Sequence, residues 1–247
     1  MVTHATARYD SNHTSEKGLE RLLVTAQEKS ISILNLVGPS DDPAGYFFPS
    51  RISPTAMLAS GGVEIDLEKL KLPVHRLVVA GGYFERCQFH TVAHVLTLFA
   101  RVWAGHPSEA KDLRVTHYAD AVYTLGDFVN RGGIGPSPFP QPDLSKYIDQ
   151  NGITRTLREA LEKQTDIINL MGYYKYVVQE WVEVMENHQV PHSPETAFVS
   201  TYNINIEHDG KFFETFKKAA HQPAPTLTFN LVTSRIEDIG SSVVFGE

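Results

Sequence analysis

The chain has 247 residues and carries 22 Lys and Arg against 29 Asp and Glu, a formal net charge of −7. At 42% hydrophobic and 21% charged residues it has a globular composition, which excludes a collagen-like or wholly disordered chain. The negative balance argues against binding nucleic acid or an anionic membrane through bulk charge, because phosphate neutralisation needs clustered cations.

At roughly 150 residues per domain, the length fits one large domain or two small ones. The single cysteine, Cys87, excludes an intrachain disulfide and a Cys-rich zinc module. A lone thiol suits a reducing compartment, and a cytoplasmic location is expected. The opening residues MVTHATARYDSN hold no apolar core of a secretory signal, and no long apolar run suits a membrane span.

Thr14 to Lys29 predicts a helix capped by Thr14 or Ser15, with Leu19, Leu22, Leu23 and Ala26 as its apolar stripe. Ile31 to Val37 is a short apolar run ended by Gly38-Pro39, the pattern of a buried strand. Residues 40–60 read as irregular. Asp66 to Leu72 predicts a short helix, and Arg76 to Ala80 a second apolar strand that runs into Gly81-Gly82. A long helix is expected from Cys87 or Gln88 to Trp103, and a third strand from Leu113 to Tyr118. Strands alternating with helices point to an α/β fold, with a mostly parallel sheet and helices on both faces.

The Gly- and Pro-rich stretch 126–143 reads as a lid, an interface arm or a linker. Beyond it, Ile153 to His188 is helical in pattern. Phe198 to Glu207 alternates as a strand, and His208-Asp209-Gly210 predicts a hairpin turn. Leu227 to Val232 and Ser242 to Phe245 are further strand candidates. The expected organisation is an α/β core over 1–125, a loop over 126–152, and a C-terminal α+β extension over 153–247. That extension could belong to the same domain.

Ligands of open α/β sheets bind outside the carboxyl ends of the strands. Cys87 should sit at that edge, between a strand end and a helix N-terminus. The half positive charge there lowers a thiol pKa and raises its nucleophilicity. Unused N–H groups of the first turn, around Glu85 to Gln88, could stabilise an oxyanion. A buried, inert thiol is the structural alternative.

The segment RLVVAGGYFERC, Arg76 to Cys87, followed by a helix and then DLRVTHYADA, resembles the isochorismatase-like cysteine hydrolases. In that family a strand ends in Gly and a nucleophilic Cys opens the next helix, as Gly82 and Cys87 do here. A further strand then leads to an Asp-Ala pair, matched by Asp120-Ala121. The resemblance covers about residues 14–125. It implies hydrolysis of a small amide or ester by Cys87, with Asp10 as the acid–base partner and no cofactor. Arg51, Tyr83, Glu85, His117 and Asp120 are the implied substrate contacts. The triad lysine has no counterpart, because no Lys lies between Lys29 and Lys69. Arg51, the nearest cation, binds anions but does not shuttle protons.

Other groupings carry weaker signals. Cys87, His90 and His94 share a helix face, but three ligands need a fourth, such as His117 or Asp120, to hold zinc. No metal is therefore expected. His117 and Asp120 at a strand end could pair as acid and base, or be a strand-end His and a turn Asp. Tyr173, Tyr174, Tyr176 and Trp181 fit a core or a dimer interface better than a ligand shelf. The expected partners are a small-molecule substrate and further copies of the chain as a homo-oligomer, with no nucleic acid and no membrane. The alternative function is a non-catalytic interaction or self-assembly protein on the same scaffold.

Overall fold

The computed structural model describes residues 2–3, 15–31, 33, 35–37, 56–59, 62–64, 75–88, 91–92, 96, 111–122, 156–157, 167–186 and 197–234. Within them lie strands β1 (Val2–Thr3), β2 (Asn35–Val37), β3 (Ala56–Ala59), β4 (Gly62–Glu64), β5 (Arg76–Val79), β6 (Leu113–Tyr118), β7 (Asn203–His208), β8 (Lys211–Lys217) and β9 (Thr226–Val232). The helices are α1 (Glu16–Glu28), α2 (Ile167–Glu186) and a short α3 (Ala197–Ser200). The fold class is α/β.

The larger sheet has five strands in the order β5-β6-β9-β7-β8. The first four are parallel, and only β8 runs antiparallel at the edge. A second sheet has the order β1-β2-β3-β4. Two sequence expectations change here. Strand β2, within the run at 31–37, does not share a sheet with β5 and β6, and β3 falls within the stretch expected to be irregular. The C-terminal strands in turn join the sheet begun by β5 and β6, with β9 seated at its centre.

Strand β6 forms where Leu113, Val115 and His117 alternate with Arg114, Thr116 and Tyr118. Leu227, Phe229 and Leu231 of β9 lie level with the first set, and Ile204 and Ile206 of β7 continue the row. These residues are buried and form one apolar face. Helix α2 is apolar at Met171, Tyr174, Val178, Trp181 and Met185, spaced by three and four residues, and all five are buried. Phe84 and His117 pack against its Tyr174 and Trp181.

Helix α1 buries Leu19 and Leu23 against Ala80, Tyr118, Ala121 and Val232. Each such leucine contributes about 1.5–3 kcal/mol of hydrophobic stabilisation. Ser15 occupies the N-cap position, yet its side chain makes no capping hydrogen bond. Gly18 passes so close to the Asp120 backbone that a Cβ would overlap its carbonyl. That contact sets how near α1 comes to the end of β6.

The expected strand at 198–207 is only half a strand. Val199 and Ser200 belong to α3, and the extended chain begins at Asn203. The hairpin at Asp209-Gly210 forms as expected, with both residues at positive φ, 49° and 73°. The segment 66–72, the loop 126–143 and the segment 242–245 lie outside the described residues.

Candidate functional site

Four parallel strands deliver their carboxyl ends to one edge. Strand β5 ends in Gly81 and Gly82, both left-handed at φ 70° and 67°. Glycine tolerates that conformation without a Cβ penalty. The Gly81 N–H donates to the Ala121 carbonyl at 2.6 Å, tying the end of β5 to the turn after β6. The Ala119 N–H donates to Val232 O at 2.9 Å and ties β6 to β9.

The chain then enters a π-helical turn at Phe84–Gln88, not the ordinary α-helical opening expected at Cys87. Its closing bond runs from Gln88 N–H to Tyr83 O, 3.0 Å. Gln88 is fully buried, and its side-chain Nε2 donates to the Gly81 carbonyl. The two bonds fold the glycine corner and the turn into one unit. Cys87 sits within it, half-buried. Glu85 lies in the same turn, and Tyr83 is buried in the core just before it.

Asp120 follows β6 at the same edge. Its carboxylate accepts from the Tyr118 hydroxyl at 3.0 Å and meets Arg21 of α1 at 3.5 Å. His117 lies one strand position before Tyr118 and therefore faces the opposite side of the sheet. It is fully buried, and its Nδ1 is 2.8 Å from the Tyr174 hydroxyl. Burial lowers its pKa to about 3, so the ring is neutral. Burial likewise raises the Tyr174 hydroxyl well above its ordinary value.

The structure thus does not bring His117 and Asp120 together. Each has partners of its own, and His117 belongs to the packed core and not to a solvent-facing site. Asp10, Arg51, His90 and His94 lie outside the described residues. Sequence reasoning missed Gln88, whose role depends on a carbonyl seven positions earlier. It also missed Asp209, farther along the same edge. That carboxylate accepts from Thr233 N and Ser234 N at 2.7 and 2.8 Å and from the Thr233 hydroxyl at 2.8 Å. Partial burial pushes its pKa up, but these hydrogen bonds outweigh that and hold it below the ordinary value.

This edge is the usual ligand position of an α/β protein, and it presents a thiol, a carboxylate and a glycine corner. No family model matches the chain, and no curated protein or solved structure matches it either. Among the described residues, no helix is long and apolar enough to cross a membrane.

Proposed function

We propose that the protein is a cysteine-dependent hydrolase of a small amide or ester, with Cys87 as nucleophile. The supporting observation is the half-buried thiol in a turn clamped to a left-handed glycine pair, at the carboxyl edge of a parallel sheet. The thiolate would attack the carbonyl carbon and form a C–S bond while the carbonyl π electrons move to oxygen. N–H groups at the turn's start would stabilise that oxyanion. Asp10, having taken the thiol proton, would give it to the departing amine or alcohol as the intermediate collapses. Water would then hydrolyse the thioester and restore the thiol. Arg51 would hold an anionic group of the substrate, and Glu85 and Asp120 would contact the rest of it. Burial argues against the substrate contacts expected of His117 and Tyr83.

Helices on both faces fit this scaffold. Tyr118 contacts α1, while His117, on the opposite face, contacts α2. A lone thiol also suits a cytoplasmic location.

Iodoacetamide labelling of Cys87 against pH tests the proposal. An apparent pKa well below about 8.5, together with an acyl adduct on Cys87 from an activated ester, supports it. Labelling only in denaturant overturns it.

A second reading, homo-oligomeric assembly without catalysis, is favoured by edge strand β8. Its Phe212 and Phe213 are 64% and 40% exposed. Light scattering of wild type beside Phe212→Lys tests it. A larger species that dissociates in the variant supports assembly, and a monomer in both overturns it.

A further inference from the structure

We propose that the opposite, amino edge of the five-stranded sheet binds a small organic anion bearing a carboxylate or phosphate. A groove of about 980 Å³ opens there between the starts of β5, β6 and β9. That volume lies at the upper end of small-molecule sites and suits a metabolite better than a bare inorganic ion.

The floor of the groove is one register row across four strands. Arg76 pairs with Arg114, Arg114 with Thr228, and Thr228 with Asn205. All four residues line the groove. The row therefore presents two guanidinium groups, a hydroxyl and an amide on one face. Parallel strands are usually apolar on both faces, so such a row needs a reason. Like charges directly opposite one another on neighbouring strands are also destabilising.

One carboxylate offsets part of this charge. Arg114 Nη2 donates to Glu207 Oε1 at 3.0 Å, and Nη1 lies 2.9 Å from Oε2. The second contact is an ion pair only, since Oε2 accepts no hydrogen bond among the described residues. Burial raises the Glu207 pKa, and Arg114 opposes that rise. The other acid in the groove, Asp112, accepts the Thr226 N–H at 2.7 Å. Lys111 adds a further cation at the rim. Among the described residues that line the groove, cations thus exceed carboxylates three to two, although the chain as a whole carries −7. The planar fork of a single guanidinium matches the oxygen pair of a carboxylate or phosphate.

Calorimetric titration with citrate and with AMP tests the proposal and separates the carboxylate from the phosphate source. Saturable binding of either probe is expected. Arg76→Gln should weaken it by about tenfold or more. Arg114→Lys should weaken it too, because the charge stays while the fork is lost. Cys87→Ser should leave it unchanged, which separates this groove from the proposed hydrolase site. No binding of either probe, or binding unaltered by Arg76→Gln, overturns the assignment. Should Arg114→Lys fold poorly, the Arg76→Gln comparison decides alone.

Discussion

His117 Nδ1 lies 2.8 Å from the Tyr174 hydroxyl, and this bond joins the carboxyl end of β6 to α2 through a fully buried contact. Both groups are held neutral by burial. The other ring nitrogen, Nε2, has no hydrogen-bond partner among the described residues. Tyr174→Phe removes the Nδ1 partner with almost no change of volume. An unfulfilled buried polar group costs about 1–3 kcal/mol, and urea unfolding should show a loss of that size. Unchanged stability would mean that the bond contributes nothing beyond packing.

The same histidine makes stability depend on pH. Its folded pKa, about 3, lies below the unfolded value of about 6.5. The unfolded chain therefore takes up the proton first as the pH falls. The neutral-His contribution is fully present above about pH 6.5 and is lost on acidification towards pH 3. The slope for one proton is about 1.4 kcal/mol per pH unit, so roughly 2 kcal/mol should go between about pH 6.5 and 5. His117→Leu lowers stability outright but should flatten this limb. Parallel acid limbs in the two proteins would refute the assignment.

Gly18→Ala tests the approach of α1 to the end of β6. The new Cβ would overlap the Asp120 carbonyl, which is backbone and cannot rotate aside. Alanine favours an isolated helix by about 1 kcal/mol, so the intrinsic effect is stabilising. Overpacking of about 1–3 kcal/mol should outweigh it and lower Tm. A raised Tm would show that α1 can shift freely.

Local pattern made some elements legible. Strand β6, strand β9 and the Asp209-Gly210 turn follow from alternation and turn chemistry among near neighbours. The seating of β9 between β6 and β7 was not legible, because pairing across more than 100 positions leaves no mark on local periodicity. The Arg76–Arg114–Thr228–Asn205 row was hidden for the same reason. Each residue looks like an ordinary strand position until the register is known. Cys87 was legible as a strand-to-helix residue. The π-turn that carries it was not, since it depends on Gln88 reaching back to Gly81. His117 misled because a strand-end histidine does not announce which face it joins.

Asp209 closes the hairpin onto the end of β9 through three hydrogen bonds to Thr233 and Ser234. Its folded pKa is depressed, so the contribution is present above the unfolded carboxylate value and fades as the pH falls through it. Asp209→Ala should cost about 2–3 kcal/mol at neutral pH, in the range of hydrogen bonds to charged groups. Asp209→Asn keeps one acceptor oxygen and should cost less, with a flatter acid limb. Full stability of Asp209→Asn, with an unchanged acid limb, would show that the charge is irrelevant.

Gln88 controls the cysteine turn, and its effect can be read at Cys87. The side chain spans from the turn back to the Gly81 carbonyl while fully buried. Gln88→Met preserves length and approximate volume but cannot donate. The Gly81 carbonyl would lose a buried partner, at about 1–3 kcal/mol. The loss falls on the turn itself, so local opening there becomes easier than global unfolding. The apparent pKa of native Cys87 alkylation should shift toward that of a free thiol, about 8.5, while cooperative unfolding persists at a lower midpoint. If stability falls and labelling does not change, the clamp supports the fold without holding the cysteine.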